Sequence, residues 1–224
     1  MNAQVIGILP EKACIIWLHG LGADAADMAG LAAQMRIPTT RFKHVFLEAP
    51  FRAITINNGM RMRAWYDIVG DKLTAREDEQ GIHDAEQQIL TAVDEQIAAG
   101  FSTQQIFIAG FSQGGAMALY TALNQPKPLA GVVILSAYLP LARETRGLMP
   151  KDVPLFIACG RSDPLVLPQW TQETQHWLKN HGYHKIAWYD YPMQHTICHQ
   201  EIVDLSCWFI EQLQTFKIPR GLQQ

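Results

Sequence analysis

Residues 105–120 read Gln-Ile-Phe-Ile-Ala-Gly-Phe-Ser-Gln-Gly-Gly-Ala-Met-Ala-Leu-Tyr, and no other segment restricts the fold of this chain so much. An apolar, β-branched run ends at Gly110-x-Ser112-x-Gly114 and passes straight into a helix-forming segment. That order demands a strand, a very tight turn and a helix in immediate succession. A serine at the apex of such a turn is held in a strained backbone conformation with its hydroxyl exposed, and glycines two residues to either side let strand and helix pass closely. The start of the helix also presents free N–H groups, with that of Gln113 a natural donor to whatever Ser112 attacks. A Gly-rich β-to-α turn can carry the same spelling without any reactivity. The strand before and the helix after are what favour a nucleophile.

The same alternation runs along the rest of the chain. Short apolar runs at 14–18, 45–47, 106–109, 132–135 and 155–158 are nearly continuous rather than alternating, as in strands covered on both faces of a mostly parallel sheet. Between and after them, Ile82, Ala85, Ile89, Val93 and Ile97 recur at helical spacing up to Gly100. Ile202, Leu205, Phe209, Leu213 and Phe216 do the same near the end, and a helix at 169–180 precedes a further strand at 186–189. This predicts an open α/β sheet with helices on both faces, whose ligands bind at the carboxyl ends of the strands. A chain of 224 residues that is 48% hydrophobic, with no linker, charge block or internal repeat, reads as one domain over residues 1–224.

A serine is a weak nucleophile without a base to take its proton and an acid to orient that base. On this architecture the chain order is Ser, then Asp or Glu, then His. Of the downstream histidines, His176 and His181 fit polar positions in or just beyond a helix, and His184 precedes a strand. His195 follows the last predicted strand on a loop before the final helix, where it can reach Ser112. Asp163, in Cys159-Gly160-Arg161-Ser162-Asp163-Pro164, sits just past a strand in a turn fixed by proline. Its rivals are Asp190, which suits a turn cap, and Glu201 and Asp204, which suit a solvated helix face. His195 and His199, four apart, could share a metal, but the pair lacks the Glu of H-E-x-x-H and a third ligand nearby. The first strand runs into His19-Gly20-Leu21-Gly22, where glycines let the backbone turn and expose a second N–H near Ser112, that of Leu21 or its neighbour.

Several blocks, taken in order, resemble the acyl-protein thioesterase and carboxylesterase family of α/β-hydrolases, also called the phospholipase/carboxylesterase group. They are Leu18-His19-Gly20-Leu21-Gly22, Glu48-Ala49-Pro50, residues 57–67, Gly110-Phe111-Ser112-Gln113-Gly114-Gly115, Asp163-Pro164 and Met193-x-His195. The resemblance implies an α/β-hydrolase fold without a large lid domain. It implies Ser112 as nucleophile, His195 as general base and acid, Asp163 as orienting carboxylate, and the N–H groups of Leu21 and Gln113 as an oxyanion hole. An acyl groove would form around residues 57–67, with Met60, Met62, Trp65 and Leu73, and with Leu165 and Val166 beyond the acid, as candidates to line it. Where the family usually has His-Gly before the acid turn, this chain has Cys159-Gly160.

The expected activity is hydrolysis of carboxylic esters or thioesters of short to medium acyl chains, on small acyl esters, lysophospholipids or S-acylated proteins, with no cofactor and no metal. A dienelactone-hydrolase-like relative would carry Cys in place of Ser112. A non-catalytic binding module on the same fold is the alternative. A net charge of −3 provides no basic field for nucleic acid or an anionic membrane. The opening residues lack a positively charged leader and no apolar run approaches a membrane span, so a cytoplasmic protein with no stable membrane insertion is expected. Cys14, Cys159, Cys198 and Cys207 form no C-x-x-C pair and read as buried free thiols. The resemblance also allows a homodimer.

Overall fold

The computed structural model describes residues 13–70 and 77–215. Six strands, β1 (Ala13–Leu18), β2 (Phe42–Leu47), β5 (Ile106–Phe111), β6 (Gly131–Leu135), β7 (Leu155–Gly160) and β8 (Ile186–Tyr191), form one sheet in the order β2-β1-β5-β6-β7-β8, with every neighbouring pair parallel. Two short strands, β3 (Phe51–Ile54) and β4 (Met60–Arg63), pair antiparallel in a separate hairpin. The helices are α1 (Ala25–Gln34), α2 (Glu79–Ala98), α3 (Gln113–Leu123), α4 (Pro168–Asn180) and α5 (His199–Thr215).

Alternate residues of each central strand enter different cores. Cys14, Ile16 and Leu18 of β1 pack with α2 and α3, whereas Ala13, Ile15 and Trp17 pack with α1 and α5. This two-sided burial is why the central strands are apolar without interruption. It also sets the position of the site. The chain leaves β1 through α1 on one face and leaves β5 through α3 on the other, so the loops after these neighbouring strands diverge and open a crevice at their carboxyl ends.

Three features differ from the sequence-based expectation. β2 and β8 lie at the sheet edges and are mostly half-buried, which accounts for Lys43 and His44 within β2. α1 has no counterpart in that expectation, because it buries only Met28 and Leu31 and shows little periodicity; a capping box between Asp24 and Asp27 starts it. The β3–β4 hairpin is rich in arginine, and its turn is built on Asn58 and Gly59, both with positive φ. No helix among the described residues is long and apolar enough to cross a membrane.

Candidate active site

Ser112 sits between β5 and α3 with φ 54° and ψ −122°, a conformation that side-chain-bearing residues rarely adopt. Tight packing enforces it. A Cβ at Gly110 would overlap the backbone of Gly114, and one at Gly114 would overlap the carbonyls of Leu18 and His19, so neither position tolerates a larger residue. The Ser112 N–H donates to the Leu135 carbonyl at 2.8 Å, which extends the β5–β6 ladder into the turn. The serine hydroxyl makes no capping bond to its own helix and is left free for another partner.

That partner is His195, whose Nε2 lies 2.9 Å from Ser112 Oγ. Its Nδ1 lies 2.7 Å from Asp163 Oδ2. Because the carboxylate accepts, the ring proton belongs on Nδ1, and Nε2 presents its lone pair to the Ser112 hydroxyl. The other carboxylate oxygen of Asp163 accepts two backbone N–H bonds, from Leu165 and Val166, each at 2.9 Å. Asp163 is 3% exposed, and this set of donors satisfies the buried charge. The loops after β7 and β8 run side by side, with the Ser162 N–H donating to the Met193 carbonyl at 3.1 Å. The ring of Phe111 packs on His195 at 4.9 Å between centroids. Ser112, His195 and Asp163, chosen from three separate loops of the sequence, thus stand in one line of hydrogen bonds.

The rivals lie elsewhere. Asp190 pairs with Arg161 at 2.7 Å in an exposed bridge, His176, His181 and His184 are not part of the line, and Asp204 accepts from the Tyr191 hydroxyl at 2.8 Å. Glu201 is not on a solvated helix face as expected. It is fully buried, and burial pushes its pKa up to about 8 against the opposing effect of the Cys198 backbone N–H. His199 is exposed at the start of α5, and no group of three or more His, Cys, Asp or Glu among the described residues is placed to hold a metal ion. None of the four cysteines forms a disulfide, and although Cys14 and Cys159 are buried, Cys207 is exposed and Cys198 only half-buried.

Ser112 and His195 open into a cleft of about 890 Å³, which Leu21 and Gln113 also line. Neither the Leu21 nor the Gln113 backbone N–H donates a hydrogen bond among the described residues. Leu165 and Val166 line the cleft, and its apolar wall also includes Tyr66, Ile68, Tyr138 and Trp170, which sequence reasoning does not find. Met60, Met62 and Trp65 are outside it. Met60 is 64% exposed on the hairpin, the Met62 sulfur accepts from the Asn57 side chain, and Trp65 is a fully buried core residue whose indole N–H donates to the His19 carbonyl at 2.8 Å. The two residues sit in a bend just after β4, where the Trp65 ring turns into the core and the Tyr66 ring, also buried, borders the cleft. Leu73 lies outside the described residues.

A family model described as phospholipase/carboxylesterase matches residues 3–213. Acyl-protein thioesterase 1 of Mycosarcoma maydis is 34% identical, over 92% of this chain and 93% of that protein. Among solved structures, Arabidopsis thaliana SOBER1 superposes with TM-score 0.81 at 29% identity, covering 90% of this chain and 99% of that one. Zea mays acyl-protein thioesterase 2 does so with TM-score 0.81 at 25% identity, covering 94% and 97%. With its parallel sheet, its serine turn and these likenesses, the chain belongs to the phospholipase/carboxylesterase family of α/β-hydrolases and is an ester hydrolase.

Proposed function

We propose that this protein, acting as one α/β-hydrolase domain, cleaves carboxylic esters or thioesters of short to medium acyl chains through an acyl-Ser112 intermediate. The observation that carries this reading is the unbroken line from Ser112 Oγ through His195 to Asp163, at 2.9 and 2.7 Å, at the mouth of an apolar cleft. Ser112 Oγ attacks the acyl carbon while His195 Nε2 takes its proton. Asp163 stays ionised and stabilises the imidazolium. The N–H groups of Leu21 and Gln113 receive the oxyanion of the tetrahedral intermediate. His195 then protonates the leaving alkoxide or thiolate. Water attacks acyl-Ser112 with its proton passing to His195 and on to Ser112 Oγ, releasing the carboxylic acid. Side chains and water account for every bond and proton in these steps.

Esters and thioesters share the tetrahedral intermediate, so the leaving group is set outside the reacting atoms. The names of the relatives support S-acylated protein cysteines as one substrate class, beside small acyl esters and lysophospholipids. A fluorophosphonate probe tests the reading. Wild-type protein should label rapidly at Ser112, whereas Ser112→Ala should fold, fail to label and lose turnover on the order of a millionfold. A folded Ser112→Ala protein that keeps a tenth of the activity contradicts it, and a wild type that never labels favours a binding module.

A further inference from the structure

Below the loops that follow β1 and β5 runs a chain of buried polar contacts that the reaction itself does not use. The Ala49 N–H donates to His19 Nε2 at 3.1 Å, and His19 Nδ1 lies 2.7 Å from the Gly20 carbonyl oxygen. Because Nε2 accepts, the ring proton is on Nδ1 and is donated to Gly20. The Trp65 indole N–H donates to the His19 carbonyl at 2.8 Å, the Trp65 backbone N–H to Gln113 Oε1 at 2.8 Å, and Gln113 Nε2 to the Tyr66 carbonyl at 2.8 Å. His19 and Trp65 have no exposed surface and Gln113 is 5% exposed.

Each end of this network holds one peptide group that matters to Ser112. The Gly20 carbonyl and the Leu21 N–H belong to the same planar peptide, and in a trans peptide they point in opposite directions. A grip on the carbonyl therefore sets the direction of the N–H, and a donor on the carbonyl polarises the amide and strengthens that N–H. At the other end, both halves of the Gln113 amide are tied to successive residues, so the first residue of α3 cannot turn without breaking two buried bonds. We infer that His19, Trp65 and Gln113 form a positioning strap that aims the Leu21 and Gln113 N–H groups at one point beside Ser112, an inference that rests on these groups being the oxyanion hole. Burial lowers the His19 pKa below its ordinary value, which keeps the ring neutral. A protonated ring would set a second N–H against that of Ala49.

Three variants of the full chain test the strap. His19→Gln keeps an acceptor for Ala49 but loses the donor to Gly20, His19→Asn keeps that donor, and Gln113→Glu sets a carboxylate oxygen against the Tyr66 carbonyl. Active sites are counted with a fluorophosphonate so that misfolded protein is excluded. Then kcat and KM are read on 4-nitrophenyl butanoate, with Ki for butylboronic acid, whose adduct on Ser112 places an oxygen where the oxyanion forms. Removal of one oxyanion donor costs about 10²–10³ in kcat, so misaiming one should cost about 10–100-fold, with KM little changed and Ki raised in step. His19→Asn should recover most of the His19→Gln loss, and the double variant of His19→Gln with Gln113→Glu should lose less than the product of the two single losses. Unchanged kcat per titrated site and unchanged Ki in His19→Gln and Gln113→Glu overturn the strap while leaving the acyl-serine reading intact. A wild type that neither labels nor binds the boronic acid overturns that reading instead. Should the variants not fold, ¹⁵N NMR of the wild type decides: His19 should be protonated at Nδ1 and bare at Nε2 from pH 6 to 8, and the opposite tautomer overturns the strap.

Discussion

Replacing Asp163 by Asn changes one atom at the centre of the site, and the structure dictates how the new amide must sit. Asp163 Oδ1 accepts N–H bonds from Leu165 and Val166, each at 2.9 Å, so in the Asp163→Asn protein the amide oxygen must occupy that place. The reverse orientation would leave two buried donors unpaired, at about 1–3 kcal/mol each. The amide NH₂ then faces His195 Nδ1 and forces the ring to accept there. The ring proton moves to Nε2, which now donates to Ser112 and can no longer take its proton. In a serine-protease triad the equivalent change costs about 10⁴ in kcat. At 1.36 kcal/mol per tenfold, the same loss here corresponds to ~5 kcal/mol of transition-state stabilisation. Stopped-flow hydrolysis of 4-nitrophenyl butanoate measures it, with a thermal melt expected to shift by only a few degrees because the fold keeps its hydrogen bonds. A folded Asp163→Asn protein that retains more than a tenth of the wild-type kcat would refute the tautomer reasoning.

Glu201, with its folded-state pKa raised to about 8, binds a proton that the unfolded chain has released, so stability should fall as pH rises from about 4.5 to about 8 and then level, by a few kcal/mol in total. Glu201→Gln should remove that slope in melts taken from pH 5 to 9; a wild-type-minus-variant difference that is flat across the range contradicts it. Gly114→Ala drives a methyl into the Leu18 and His19 carbonyls and should lower stability by at least about 3 kcal/mol, so a melting temperature within about 2 °C of wild type would refute the packing of the elbow. Trp65→Ala should cost about 3–5 kcal/mol in denaturant unfolding, as a fully buried ring does, and a loss under about 1 kcal/mol would remove Trp65 from the core. Each methylene buried is worth up to about 0.8 kcal/mol, so kcat/KM should rise from acetyl to about octanoyl esters, within a ceiling of roughly 5 kcal/mol. Leu165→Ser should flatten that rise, and acetyl esters as the best substrates would contradict an acyl role for the cleft.

Where one physical pattern dominates a segment, the sequence is informative. The central strands β1, β5, β6 and β7 are apolar throughout because both faces are covered, and their runs are visible without ambiguity. Ser112, Asp163 and His195 each lie at a strand's carboxyl end, and chain order together with that placement separates them from their rivals; in space they form one line of hydrogen bonds. The groove is harder to read. Residues 57–67 stand out as a block, but which side chain of the bend after β4 meets the cleft is a tertiary fact, and Trp65 and Tyr66 differ by one position. Tyr138 and Trp170 reach the cleft from the loop after β6 and from α4, with no local signal to mark them. Glu201 looks like any acidic residue in the first turn of a helix until α5 packs it against the sheet. His19 likewise reads as part of a glycine-rich turn; its ring meets the neighbouring Gly20 carbonyl locally, but its contact with Ala49 arises only when the loop after β2 is brought beside it.

Covalent chemistry at Ser112 is tested most directly by trapping the intermediate. Wild-type protein mixed with excess 4-nitrophenyl butanoate and quenched with acid within milliseconds should release a burst of nitrophenol of about one equivalent if deacylation is the slower step. Intact mass and peptide mapping should then place one butanoyl group on the peptide that contains Ser112. With Ser112→Ala, both burst and adduct should vanish. A folded Ser112→Ala protein that keeps more than a tenth of the wild-type turnover, or an adduct on another side chain that survives in Ser112→Ala, would contradict the assignment.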